Sequence, residues 1–372
     1  MTVVDTLALM VAQTDERVPR AVRLHACDLL LRHCRAPTVA NEALEGLVAQ
    51  CVHEHGDGGE ATIDALFLLA AAHLDRHADA EAKSIYTRLL PNVIARFGEE
   101  SDQATKVYIG LATCASHLSD FATGARLLQD KIVVRTERLH GPMSAETGAA
   151  LHELGIAFGN LGDYGARRTV QQRTQEIMER VYGTDHDKTA MSRLALAIVH
   201  GCLGEYVDEA AEVDRVYITW YNLYGDDHHR TAYAWYFRGV AAGALGDAQT
   251  QKDALLMALS ARRKHFGEEG KLTLVTRLAL CTVSVPARNV GDKVSFQLDA
   301  TKAAEAQSIV DTIIRVCGPD TAAVAVASGV LALLKAAAGN IDGAFLDADR
   351  AVAIEASQGL HDGAHGPTKA IR

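Results

Sequence analysis

Apolar positions recur at helical spacing along most of the chain. Tyr108, Leu111, Ala112 and Ala115 fall at i, i+3, i+4 and i+7, and Leu151, Leu154, Gly155 and Phe158 repeat that spacing. Such a pattern lines one face of a helix with apolar side chains and turns it toward a partner. Small residues at the third position (Ala112, Gly155, Ala197, Gly239) let two helices approach closely. The pattern is punctuated by aromatic or His junctions to glycine: His55-Gly56, Phe97-Gly98, His140-Gly141, Tyr182-Gly183, Tyr224-Gly225 and Phe266-Gly267. Their glycines lie 42, 43, 42, 42 and 42 residues apart. A second marker falls mid-unit, at Leu161-Gly162-Asp163-Tyr164, Leu203-Gly204-Glu205-Tyr206 and Leu245-Gly246-Asp247-Ala248, with glycines again 42 apart. Two markers sharing one period predict a repeated unit of helix, tight turn and helix.

Each marker has a physical task. The junction glycine follows a helix, where positive φ is tolerated without a Cβ. The polar residues after it (Ser101, Ser144, Thr184, Asp226) are predicted to cap the next helix by accepting from its free N–H groups. Residues 1–54 read as degenerate capping helices broken at Ala36-Pro37, and 55–280 as the regular repeats. Residues 281–358 read as divergent repeats, and 359–372 as a polar tail. The spacing from Gly267 to Gly318 is 51, which places an insertion near 283–292 at a helix–helix turn. The whole is expected to be all-α, with about seven helical pairs and terminal units covering the open ends.

The pattern L-x-x-L-G-x-x-F followed by L-G-D-Y resembles a tetratricopeptide repeat. The 42-residue period and the junction YGTDH, with YGDDH as its variant, resemble the long subtype of kinesin light chains. The resemblance implies a right-handed superhelical solenoid whose first helices line a concave groove for a peptide or protein partner. Carried onto this chain, the groove positions are Lys106, Ile109 and Thr113, then His152, Ile156 and Asn160, then Leu194 and Ile198, then Tyr233, Tyr236, Arg238 and Val240. Kinesin light chains place paired asparagines before the central Leu-Ala. The matching slots here are His152-Glu153, Leu194-Ala195 and Tyr236-Phe237, so that clamp on a peptide backbone is missing.

Aromatic side chains concentrate between Tyr217 and Phe237, including both tryptophans, Trp220 and Trp235. Such residues combine large contact area with a polar tip. Arg238 stands where Leu154 and Leu196 stand in earlier units, so it calls for a carboxylate or a bound anion as partner.

The formal net charge of −10 argues against a broad nucleic-acid footprint. Seven cysteines, an odd number with no C-x-x-C, suit reduced thiols and a cytoplasmic location. No basic leader region and no apolar run of the ~20 residues that span a bilayer are evident, so no membrane partner is expected. Asp226-Asp227-His228-His229 has metal-ligand chemistry, yet the previous unit carries Thr184-Asp185-His186-Asp187 in the same slot, which makes it repeat grammar. No metal, no cofactor and no catalytic residue is assigned. Two readings stand: a non-enzymatic scaffold for a protein or peptide, with homo-oligomers allowed, or a receptor for a small molecule or signalling peptide, or an unusual enzyme, using the aromatic-lined groove.

Overall fold

A computed structural model describes residues 26, 37–76, 78–283, 285–286, 296–297 and 302–357. Most of the expected N-terminal capping helices before Pro37, most of the 283–292 insertion and the polar tail lie outside these residues. The described chain is built of helical pairs. It divides into two compact units, 1–139 and 140–372.

In the first unit, α1 (Pro37–His55) packs on α2 (Glu60–Asp75), α2 on α3 (Asp79–Phe97), and α3 on α4 (Asp102–His117). The helix after α4 runs as α5 (Phe121–Leu127), a π-helical stretch (Leu128–Val133) and α6 (Val134–His140). This is the unit whose junction glycines lie 43 apart. The single extra residue is absorbed as i→i+5 hydrogen bonding, which adds a residue without breaking the helix.

The second unit continues with α7 (Ala145–Asn160), α8 (Tyr164–Tyr182), α9 (Asp187–Leu203), α10 (Tyr206–Tyr224), α11 (His229–Ala244) and α12 (Ala248–Phe266). It ends with α13 (Lys271–Cys281), α14 (Lys302–Cys317), α15 (Ala322–Ala337) and α16 (Ile341–Ser357). Each helix packs on its sequence neighbour. Between α13 and α14 the all-α expectation meets one exception. Val285–Pro286 (β1) and Phe296–Gln297 (β2) form a two-residue antiparallel pair, within and just beyond the expected insertion.

The junctions follow from local chemistry. Gly183 closes α8 at φ 85° and Gly204 closes α9 at φ 80°, conformations a Cβ would strain. Ser101 and Ser144 cap α4 and α7 by accepting from the N–H of Ala104 and Thr147. Thr184 and Asp226 are not the caps of α9 and α11. His186 and His228 take that position, Nδ1 accepting from Lys188 N–H at 3.1 Å and Arg230 N–H at 3.3 Å. Each imidazole also stacks on the aromatic four residues earlier, Tyr182 at 4.7 Å and Tyr224 at 4.3 Å. A threonine six residues after the junction glycine ties the turn shut: Thr189 and Thr231 donate to Gly183 and Gly225 carbonyls, both at 2.7 Å. Between helices the core is aliphatic. Leu194, Ala197, Val213, Val216 and Trp220 form one cluster in the middle of the second unit.

Candidate functional site

First helices of successive pairs repeat the same positions 42 residues apart. Glu146, Lys188 and Arg230 are the second residues of α7, α9 and α11, and Ala149 and Met191 are fifth residues of α7 and α9. These side chains converge on a cavity of about 500 Å³. The apolar part of its lining, the floor, comes from Ala145, Ala149, Met178 and Met191, and the charged and imidazole part, the rim, from Glu146, His152, Asp187, Lys188 and Arg230; Tyr182 and the buried hydroxyls of Thr174 and Ser192 complete it.

Asp187 organises one wall. It accepts from Trp220 Nε1 at 2.9 Å and pairs with Arg230 Nε at 3.1 Å. The Tyr224 hydroxyl is also bonded to it, and burial first, then Asp187, pushes that phenol's pKa up. Arg230 aims its Nη1 at the Met191 thioether, 2.7 Å away, a weak acceptor for a guanidinium. Lys188 Nζ donates to the Tyr182 hydroxyl at 3.0 Å and lies 4.7 Å from that ring. On the opposite wall His152 is half-buried, and burial holds its imidazole below the ordinary value, so it stays neutral near pH 7. The rim therefore runs from an acid on α7 to two bases on α9 and α11, each base held by weak or shared partners.

A second locus lies on the next pair. Arg262 of α12 is 1% exposed and lies over the rings of Tyr233 and Tyr236 of α11, its guanidinium carbon 5.0 and 4.5 Å from the ring centroids. Its Nη1 donates to Thr276 Oγ1 at 2.6 Å and to the Leu272 carbonyl at 3.1 Å. Among the described residues no carboxylate pairs with it, and Nε has no hydrogen-bond partner. Burial raises the Tyr236 phenol, with Arg262 opposing.

The sequence-predicted groove residues divide accordingly. In the first unit Lys106 and Ile109 are exposed on α4, and Thr113 is half-buried, its hydroxyl donating to the Ile109 carbonyl. In the second unit His152 lines the cavity, while Ile156 and Val240 are exposed and Asn160 is half-buried. Tyr233 and Tyr236 come together around Arg262. Leu194 is a correction: at 8% exposure it belongs to the core, with Ile198 packed against it. Arg238 meets the carboxylate it called for, Asp214, at 3.0 Å, and lies over the rings of Trp235 and Tyr217.

Sequence reasoning missed Glu146, Lys188, Met191 and Arg230. The signal was present as a 42-residue column of second-position charges, but the expected groove began at the fifth position, with Lys106 and Tyr233, and Met191 in that same column was passed over. The Asp226–His229 cluster is engaged elsewhere. Asp226 accepts from Tyr217 and Trp235, Asp227 pairs with Lys264, and His228 is a cap. His200, Glu205 and Asp208 approach closely enough to share a cation, although Glu205 already takes His200 at 2.6 Å and Arg168 at 2.9 Å.

Residues 146–217 match the family model described as tetratricopeptide repeat. No curated protein sequence matches the chain significantly. The fold is similar to the apo form of the quorum sensor NprR from B. thuringiensis, at 10% identity and a TM-score of 0.64, covering 94% of this chain and 91% of that one. It is similar to the Rap conjugation gene regulator of the plasmid pLS20, solved in complex with the Phr* peptide, at 10% identity and TM-score 0.54, covering 96% and 98%. It is also similar to the nearly identical TPR-like repeats of a putative kinesin light chain from Podosopora anserina, at 15% identity and TM-score 0.51, covering 56% and 99%. At these identities the likeness shows a fold of tetratricopeptide-like helical repeats. Among the described residues no helix is long and apolar enough to cross a membrane.

Proposed function

We propose that this tetratricopeptide-repeat chain is a non-enzymatic scaffold that binds a segment of a peptide or partner protein along the first helices of its second unit. One observation carries the reading: the cavity of about 500 Å³ built from equivalent positions of consecutive first helices together with α8. Its apolar floor offers hydrophobic burial at roughly 25 cal/mol per Å². The ordered rim of Glu146, Lys188 and Arg230 gives a bound segment one preferred direction, because its charges meet opposite signs in only one orientation. The Phr* peptide held by the Rap regulator supports the same use of a similar fold, by analogy of architecture. The 42-residue period supports the kinesin-light-chain-like subtype. The free thiols of Cys114 and Cys281 support a reducing, cytoplasmic setting, and the net charge of −10 supports partners other than nucleic acid.

A random-peptide display screen against the whole protein tests this. Enriched peptides should lose most of their affinity to Met191→Glu, which places a charge on the apolar floor at an exposed helix position. Retained binding by a folded Met191→Glu protein would remove the cavity from consideration.

The receptor reading keeps one observation of its own, because the cavity volume lies within the ~300–1,000 Å³ typical of small-ligand sites. A thermal-shift screen separates the two. A metabolite at ~100 times its dissociation constant adds ~2.7 kcal/mol of stability, whereas a scaffold specific for peptides stays flat.

A further inference from the structure

We propose that His228, with His229 and His265 beside it, forms a pH-sensitive latch behind the cavity-lining Arg230. When neutral it holds the first turn of α11, and with it the Arg230–Asp187 pair; when protonated it lets both go. The geometry supplies the coupling. His228 Nδ1 accepts from the backbone N–H of Arg230, the same residue whose side chain reaches Asp187 and the cavity rim. An imidazole nitrogen accepts a hydrogen bond only while it carries no proton. Protonation removes the cap and places a positive charge at the positive end of the helix dipole. Ser144, which caps α7 on the opposite wall, has no such titration.

The surroundings bias His228 toward the neutral form. Tyr224 of α10 stacks on it at 4.3 Å, offering no charge. His229 of α11 and His265 of α12 lie with ring centroids at 4.2 and 6.1 Å, and 5.9 Å from each other, so a proton on one repels a proton on the next. Arg230 adds a fixed positive charge. Asp187 of α9 favours protonation, but it is shared among Arg230, Trp220 and Tyr224. The Asp227 carboxylate is taken by Lys264, and its carbonyl accepts from His265 Nε2 at 2.7 Å. Burial first, then His265 and Arg230, hold His228 below 6.5; burial, then His228, Arg230 and His265, do the same for His229. With folded values depressed, this contribution is complete above about pH 6.5 and is lost as pH falls through the lowered values.

The consequence for binding rests on the scaffold reading, but the latch does not. Trp220 donates to Asp187 and has Arg230 at 5.8 Å from its ring, so its emission reports the latch directly with no ligand present. The test uses the full chain with Trp235→Phe, leaving Trp220 as sole tryptophan, titrated from about pH 8 to about pH 5.5 with circular dichroism recorded in parallel. The expected result is a step in emission with a midpoint below that of free imidazole, with helix content lowered by no more than the first turn of α11. Adding His228→Asn, a strong cap that does not titrate, should flatten the step, and His265→Gln should move the midpoint upward. A parent protein without a step, or a step that survives His228→Asn unaltered, overturns the latch. A protein that binds no peptide but shows the step would overturn the scaffold reading and leave the latch standing.

Discussion

Arg262 shows how a single side chain can work against the element that holds it. Removing a guanidinium from water costs several kcal/mol even after relaxation. Two stacked tyrosines return roughly 1–2 kcal/mol each when desolvated, and two neutral acceptors add modestly. With no carboxylate among the described residues to complete the balance, Arg262→Met should stabilise the protein by about 1–2 kcal/mol in urea denaturation. A loss of stability would mean that the tyrosine pair more than offsets desolvation. Glu209 is a second case. It is buried against Gly201, where an added Cβ would stand 2.8 Å from the Glu209 carboxyl carbon, and burial pushes its pKa up to about 7. A raised carboxyl value stabilises below the ordinary 4.5 and is lost as pH rises through about 7. Glu209→Gln should therefore raise the melting temperature at pH 8 far more than at pH 5, in a pair of thermal melts. Neither residue was legible in the sequence. Both lie on second helices at spacings shared with solvent-facing charges, and only the neighbouring pair decides that they are enclosed. Arg238 was legible as an anomaly because it replaced leucines at a known register, and the structure supplies Asp214 as its answer.

At the scale of the element, the glycine markers located most turns because few other residues tolerate those φ values, but the α4–α5 turn carries no glycine and sets Ser119 at φ 61° instead. Capping was less legible. Thr184 and Asp226 have the right chemistry, but the histidines two residues later combine a cap with a ring stack on Tyr182 or Tyr224, and that pairing displaces them. The 43-residue interval announced an extra residue without locating it, since any position of the helix could absorb it. The π-helical stretch at Leu128–Val133 is where it sits. Deleting the exposed Asp130 should restore plain α-helix there, keep both flanking faces in register, and leave the melting temperature nearly unchanged. Deleting the exposed Glu176 from the regular helix α8 rotates every later position by about 100°. It should turn Ile177 out to the exposed position of Glu176, bring the Glu179 carboxylate into the buried position of Met178, and lower the melting temperature sharply. Equal losses from the two deletions would refute the role of the π stretch as an absorbed insertion.

At the scale of the molecule, a repeat array owes its stability to packing between neighbours, so it can be cut at a junction and still fold. The boundary between the two units, at Leu139 and His140, coincides with such a junction, and every residue lining the cavity belongs to the second unit. A fragment of residues 140–357 should keep the helicity per residue of the corresponding part of the full chain. It should bind any cavity-directed peptide within a few-fold of the full-length affinity. A fragment of 184–357 also begins just after a junction glycine and should also fold, but it lacks α7 and α8. It thereby loses Ala145, Glu146, Ala149, His152 and Met178, most of the floor and one wall of the cavity, while keeping Lys188, Met191 and Arg230. Its affinity should fall to the limit of detection by calorimetry. Comparing the two fragments separates recognition by the whole open cavity from recognition by one charged helix end, because only the first requires all the walls. If the shorter fragment binds as tightly as the longer one, the peptide is held by α9 and α11 alone, and the register of Glu146 with Lys188 and Arg230 has no part in choosing it.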